Sequence, residues 1–274
     1  MLTTLKLQNM KQSNEKIAMV TAYDYPSAKQ AEAATADMIL VGDSLGMVVL
    51  GYESTTEVTV DDMIHHAKAV RRGAKDTFLV VDMPFMSYYS GFEKAIENAT
   101  KIFQQTNAQA LKLEGGSQEV VDVTKRLVVG GIPVVSHLGL TPQMVNVFGG
   151  FKVQANDKQA IKQIIDDAKK LENAGATALV LECIPKEIGK IVTDSISIPT
   201  IGIGAGLDCD GQVLVYHDIL QYGQDWFPKF VKNYANFNDI GIGALSKYVE
   251  DVKSESFPKE EHTYEIKDKG ILPK

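Results

Sequence analysis

Cysteine is nearly absent from this chain: only Cys183 and Cys209 occur in 274 residues, at no zinc-type spacing. Neither a disulfide framework nor a structural zinc site therefore holds the fold together, and the scarcity suits a reducing cytosol. Positive charge is in deficit too, with a formal net charge of −7. That excludes nucleic acid and anionic membrane as partners, because phosphate binding needs a basic patch. No apolar run approaches the roughly 18 residues of a membrane span. The start, Met1-Leu-Thr-Thr-Leu-Lys-Leu-Gln-Asn-Met10, lacks the apolar core of a secretion signal, so a cytoplasmic location is expected. Repeats, low-complexity tracts and Pro/Gly/Ser linkers are missing as well. Residues 1–274 read as one domain, with a charged, irregular tail over about 254–274.

What the chain does have is apolar runs closed by polar residues. Ile39-Leu-Val-Gly ends in Asp43-Ser44, Phe78-Leu-Val-Val ends in Asp82, and Ala110-Leu is followed by Lys112-Leu-Glu114. Pro133-Val-Val-Ser ends in His137, and Ala178-Leu-Val-Leu ends in Glu182. Runs of this length and Val/Ile/Leu content read as strands buried on both faces. Eight are expected: 17–22, 38–41, 78–81, 110–113, 133–136, 178–181, 199–202 and 213–216. Most are separated by segments of helical period. Thr59-Val-Asp-Asp62 is a capping-box pattern ahead of the stripe Met63, Ile64, Ala67 and Val70. Asp157 can cap a helix facing the core with Ile161, Ile164, Ile165, Ala168 and Leu171, ending at Gly175. Alternating strands and helices in a chain near the usual barrel size of about 250 residues predict the α/β class, as a single-domain (β/α)8 TIM barrel.

In such a barrel the C-terminal strand ends share one mouth, so the terminal charges gather there. Lys112 and Glu114 are two apart and point the same way, into the mouth rather than the apolar layer outside, where burying two charges would cost several kcal/mol. Asp43, Asp82 and Glu114 then offer hard oxygens suited to magnesium. Taken singly, each Asp could equally cap a helix, the Lys112–Glu114 pair could merely plug the barrel, and His137 could be a hydrogen-bonded strand end. The 42–57 segment, with Gly42, Gly46 and Gly51, reads as a site loop without an element of its own. Ile201-Gly-Ile-Gly-Ala-Gly206 falls where many barrels bind phosphate, but tight strand exits need glycine anyway. His65-His66 reads as a solvated or packing pair, and Arg71-Arg72 as surface rather than an anion clamp.

In order and spacing, these strand-end motifs resemble the ketopantoate hydroxymethyltransferase family, which makes a precursor of pantothenate. The matching stretches are Met19-Val-Thr-Ala-Tyr-Asp24, Val41-Gly-Asp-Ser-Leu-Gly-Met47, Ala69-Val-Arg-Arg-Gly73, Asp82-Met-Pro-Phe-Met86 and Lys112-Leu-Glu-Gly-Gly116. They continue through His137-Leu-Gly-Leu-Thr-Pro-Gln143, Leu181-Glu-Cys-Ile-Pro185, the 201–206 glycines, Asp210-Gly-Gln-Val-Leu-Val215 and Pro228-Lys-Phe-Val-Lys232. The resemblance implies magnesium held at Asp43, Asp82 and Glu114. It also implies α-ketoisovalerate near Asp43, Ser44, Asp82 and Lys112, and a general base at Glu182. The donor it implies is 5,10-methylenetetrahydrofolate, and the assembly a large homo-oligomer, a decamer. One stretch, Leu220-Gln-Tyr-Gly-Gln-Asp-Trp-Phe227, departs from the family pattern, which bears on subunit contacts or the outer folate pocket.

The residue chemistry is compatible with this reaction. A metal-chelated α-keto acid loses its C3 proton to Glu182, Lys112 offsets the developing oxyanion, and His137 is a partner for ligand oxygens. Two rivals use the same residues. One is a metal-free aldolase with a Schiff base on Lys112; the other is a magnesium-dependent C–C or C–P lyase without folate.

Overall fold

Runs of β-branched and aliphatic residues too short for a helix become the strands, and amphipathic segments between them become the outer helices. The computed structural model describes residues 2–223 and 225–268. Its strands are β1 (Ile17–Thr21), β2 (Met38–Val41), β3 (Phe78–Asp82), β4 (Ala110–Glu114), β5 (Val134–Gly139), β6 (Ala178–Glu182), β7 (Thr200–Ile203) and β8 (Gly211–Leu214). All neighbours pair parallel in chain order, and β8 returns to β1, closing the barrel. The helices are α1 (Thr4–Gln12), α2 (Tyr25–Ala33), α3 (Leu45–Val48), α4 (Val60–Gly73), α5 (Phe92–Thr106) and α6 (Gln118–Val129). They continue with α7 (Val145–Phe148), α8 (Lys158–Asn173), α9 (Lys186–Ser195), α10 (Tyr216–Leu220) and α11 (Phe237–Lys253). The chain is thus a TIM barrel, with one irregularity: β7 passes to β8 through residues 204–210 without a helix.

Period-two alternation sorts the strand residues into two cores. Met19, Met38, Leu40, Phe78, Val80, Ala110, Val135, Val180 and Val213 fill the lumen, while Ile39, Val41, Leu79, Val81, Leu111, Leu113 and Leu181 face the helices. Leu7 and Met10 of α1 join the lumen set, so α1 is packed into the barrel interior. Lys11 anchors that helix by donating to Asp210 Oδ2 at 2.9 Å and to the carbonyls of Thr193 and Ile198. The expected caps form. Thr59 and Asp62 exchange hydrogen bonds at the start of α4, whose Met63, Ile64, Ala67 and Val70 are buried. Asp157 accepts from Ala160 N–H at 2.9 Å ahead of α8, where Ile164, Ala168 and Leu171 are buried and Ile161 and Ile165 partly so.

The structure corrects several boundaries. β8 lies two residues earlier than expected, over Gly211–Leu214 rather than 213–216. A Cβ at Gly211 would lie 2.4 Å from the Ile17 carbonyl, so the glycine that looks like a loop residue is what lets β8 close against β1. β5 runs on to Gly139, which puts His137 inside the strand. The 42–57 loop is not free of elements: it contains α3 and a 3-10 turn, Thr55–Glu57. Within the described part of the tail, 254–268, there is no strand and one 3-10 turn, Glu260–His262; residues 269–274, and residue 224 of the stretch that departs from the family pattern, lie outside the described residues. No described helix is long and apolar enough to cross a membrane.

Candidate active site at the barrel mouth

Strand register builds the site. β3 pairs with β4 so that Asp82 lies beside Lys112, and β4 pairs with β5 so that Glu114 lies beside His137. One strand further round, Gly139 pairs with Glu182. Asp82, Lys112, His137 and Glu182 each sit above an apolar lumen residue two positions earlier, Val80, Ala110, Val135 and Val180, and Glu114 sits above Lys112. Asp43 and Ser44 follow β2 at the same end, in the turn before α3. The strand-end residues picked out in the sequence therefore do converge on one mouth.

The geometry is tight. Lys112 Nζ lies 3.1 Å from Asp82 Oδ1 and donates to Glu114 Oε1 at 3.0 Å. The Asp43 N–H donates to Asp82 Oδ2 at 3.0 Å. One oxygen each of Asp43, Asp82 and Glu114 lies within 4.8 Å of the others, and all three residues are buried. His137 bridges two carboxylates, with Nδ1 3.3 Å from Glu114 Oε1 and Nε2 3.3 Å from Glu182 Oε2. Glu182 keeps 14% side-chain exposure against 2% for Glu114, so it is the carboxylate that meets the mouth's solvent. Ser44 Oγ shares a 2.8 Å hydrogen bond with the buried Tyr23 hydroxyl.

The charges are unevenly matched. Burial and the neighbouring Glu114 and Asp82 push the Asp43 carboxyl well above the usual range. Asp82 is also raised by burial, although Lys112 opposes the shift. Burial would raise Glu114 as well, but Lys112 and His137 outweigh it and hold it at about 2. Lys112 is pushed up despite burial, because Asp82, Glu114 and Asp43 surround it. Burial and Lys112 act to lower His137, yet Glu114 and Glu182 prevail and raise it to about 9.

Four carboxylates, counting Glu182, against the Lys112 ammonium and the His137 imidazolium still leave the site short of positive charge, the condition under which a hard divalent cation binds. The hydrogen bonds agree. Among the described residues, Asp82 Oδ1 is buried without an aligned donor even though Lys112 is near, and the Asp43 carboxylate is engaged through Oδ2 alone. The donor set, all oxygen and anionic, fits magnesium. The Lys112–Glu114 ion pair does form, but as one edge of this cluster and not as an isolated plug.

Other sequence signals resolve as packing. Gly204 and Gly206 have φ of +67° and +94°, and a Cβ there would meet Phe230 and Lys186. Arg71 donates to the carbonyls of Ala74 and Lys75 and to Gln109, so it ties a loop down. His66 Nδ1 pairs with the Tyr23 carbonyl at 2.6 Å. Sequence reasoning assigned no role to Gln143, Tyr23 or Tyr88, all buried within hydrogen-bond reach of the predicted site residues. Being uncharged and outside the strands, they gave no strand-end signal; only the places of Tyr23 in the 19–24 motif and of Gln143 in the 137–143 motif hinted at them.

Comparison with known proteins follows the same line. A family model described as ketopantoate hydroxymethyltransferase matches residues 1–260. The 3-methyl-2-oxobutanoate hydroxymethyltransferase of Bacillus pumilus (strain SAFR-032) is 58% identical over 271 residues, 99% of this chain and 97% of its own. That of Geobacillus kaustophilus (strain HTA426) is 59% identical over 260 residues, 95% and 93% of the two chains. Among solved structures, 2,3-dimethylmalate lyase, a PEP mutase/isocitrate lyase superfamily member, superposes with a TM-score of 0.59 at 16% identity. It covers 99% of this chain and 92% of its own, a likeness of fold.

Proposed function

The chain belongs to the ketopantoate hydroxymethyltransferase family and is a one-carbon transferase, and from that premise we propose the substrates, metal and residue roles that follow. α-Ketoisovalerate, 5,10-methylenetetrahydrofolate and water become ketopantoate and tetrahydrofolate, a step toward pantothenate and coenzyme A. Asp43, Asp82 and Glu114 hold magnesium. When bound, the ion supplies a Lewis acid for the keto and carboxylate oxygens of the substrate.

The remaining chemistry belongs to the chain. Lys112, charged at any working pH, binds the keto acid's oxygens and offsets the negative charge that develops there. Ser44, oriented by Tyr23, binds the same substrate beside Asp43. Glu182 removes the C3 proton; water releases the methylene from both folate nitrogens as formaldehyde, and the enolate carbon adds to that carbonyl, whose oxygen takes up the proton and becomes the new hydroxymethyl group. His137, 3.3 Å from Glu182 Oε2, keeps that carboxylate turned to the mouth and reaches ligand oxygens beside it. A lysine so strongly held in its ammonium form is a poor nucleophile, which argues against a Schiff base. Helix α11 buries none of its residues and exposes Ile240, Ile242 and Leu245, which supports assembly into a large homo-oligomer.

The observation that carries the reading is the division of labour among carboxylates: three share a buried cation-sized space, and Glu182 stands apart from them at the rim. The test is ketopantoate formation from α-ketoisovalerate, followed with and without methylenetetrahydrofolate and with and without chelator. Product that requires both folate and a divalent ion supports it. Full activity in excess chelator sinks the metal assignment, and product without folate sinks the donor.

A further inference from the structure

Beside the carboxylate cluster sits a neutral residue whose side-chain amide and backbone N–H are all engaged. Gln143 lies in the 3-10 turn Pro142–Met144 that follows β5, and it is buried. Its Nε2 donates to Asp43 Oδ2 at 2.8 Å and to the Met83 carbonyl at 3.0 Å. Its backbone N–H donates to Glu114 Oε2 at 3.2 Å. Its Oε1 accepts from the Tyr88 hydroxyl at 2.6 Å. One uncharged residue thus grips two of the three carboxylates, on oxygens that Lys112 does not take.

Tyr88 decides which way the amide points. Its hydroxyl accepts the Glu114 N–H at 3.3 Å, and the proton it donates makes its short bond to Gln143 Oε1. A flipped amide would set Oε1 against the Met83 carbonyl and, once Asp43 is ionised to hold a cation, against its carboxylate, acceptors with no proton among them. The consequence lies at the carboxylates. With Oδ2 of Asp43 occupied, Oδ1 remains for a ligand; with Oε1 of Glu114 on Lys112 and Oε2 on Gln143, Glu114 is held in a single rotamer.

We propose that Gln143, locked by Tyr88, is the positioning residue that fixes which carboxylate oxygens of Asp43 and Glu114 face the cation. The inference rests on the magnesium reading above. Partners of this kind around a metal site orient its ligands, and their loss weakens metal affinity by about 10- to 100-fold.

The test uses the full chain and Gln143→Met, which keeps the bulk and reach but has no amide. Mg2+ binding is measured by calorimetry, and bound Mn2+ by its electron paramagnetic resonance spectrum, which reports ligand geometry without turnover. Affinity is expected to fall by about 10- to 100-fold, with a changed Mn2+ spectrum. Tyr88→Phe, which removes the lock and the hydroxyl's contacts with the Glu114 backbone but leaves the Gln143 amide in place, is expected to move both readouts the same way by less. A folded Gln143→Met that binds Mg2+ within twofold of the parent and gives its Mn2+ spectrum overturns the proposal. If Gln143→Met does not fold, Tyr88→Phe decides, and parental affinity and spectrum in that variant overturn it. A parent protein that binds neither ion overturns the magnesium reading and this inference with it.

Discussion

Replacing Lys112 by Met removes the one ammonium from a buried group of carboxylates while keeping the length and apolar bulk of the side chain. Its Nζ lies 3.1 Å from Asp82 Oδ1 and 3.0 Å from Glu114 Oε1, both almost fully enclosed. Breaking a buried pair by removing one partner typically costs about 3–5 kcal/mol. A second route gives the same size. The stranded Asp82 carboxylate escapes by taking a proton, and holding an ordinary Asp protonated at pH 7 costs about 1.4 kcal/mol for each of about three pH units, so ~4 kcal/mol. At about 2–4 °C per kcal/mol for a chain this large, the metal-free variant should melt roughly 6–20 °C below the parent at pH 7. The sign with pH follows. Glu114, held at about 2 in the folded parent, contributes stability that is complete above its unfolded value of 4.5 and lost as pH falls through 2. In the variant Glu114 keeps only His137 as a cationic partner, and Asp82, raised by burial with no Lys112 to oppose it, costs stability increasingly above its ordinary 3.8. The gap between the two proteins should therefore be widest at neutral pH and shrink steadily below pH 5. Magnesium restores part of the missing charge, so it should raise the variant's melting temperature more than the parent's. Scanning calorimetry of both proteins from pH 4 to 8, with and without Mg2+, measures all of this. A metal-free difference under 2 °C at pH 7, or one that grows toward acid, would refute the electrostatic account.

The other expectations are as direct. Glu182→Gln should keep Mg2+ and keto-acid binding while slowing exchange of the C3 hydrogen of α-ketoisovalerate with D2O by about 10²–10⁴-fold; exchange at the parental rate, read by NMR, would move the base elsewhere, with His137 next. Asp43→Asn should lose Mg2+ affinity yet raise the metal-free melting temperature at pH 7. Its carboxyl is raised by burial and by Glu114 and Asp82, so its charge opposes folding above its unfolded value of 3.8, and the gain should fade toward pH 4; a lower melting temperature for this variant at pH 7 would contradict that. Gly139→Ala places a Cβ 2.2 Å from the Glu182 carbonyl at a φ of +95°, which costs at least about 1–2 kcal/mol from the backbone alone. Activity should drop further than denaturant stability suggests, because the strain falls on the residue that carries the base.

The local code was legible along the chain. Two-residue alternation on 110–114 put Lys112 and Glu114 on one side, and the structure sets both in the lumen with Ala110 beneath them. The Thr59–Asp62 box and the Asp157 cap needed only neighbouring residues to be read, since their bonds span three positions. Apolar runs ending in Asp82, Glu114 and Glu182 marked the strand ends because a charge that closes a buried run must leave the apolar layer. Tertiary structure decided what those charges do to one another. Whether Asp82 meets Lys112 or Glu114 depends on strand register, and register comes from closing eight strands on themselves, down to the glycine at 211 that admits β8 beside β1. The residue that steadies Asp43 stands 100 positions away, uncharged and in a turn, and no local pattern joins the two. A chain encodes its own periodicity at every residue; distances between side chains far apart in sequence exist only once the barrel has closed.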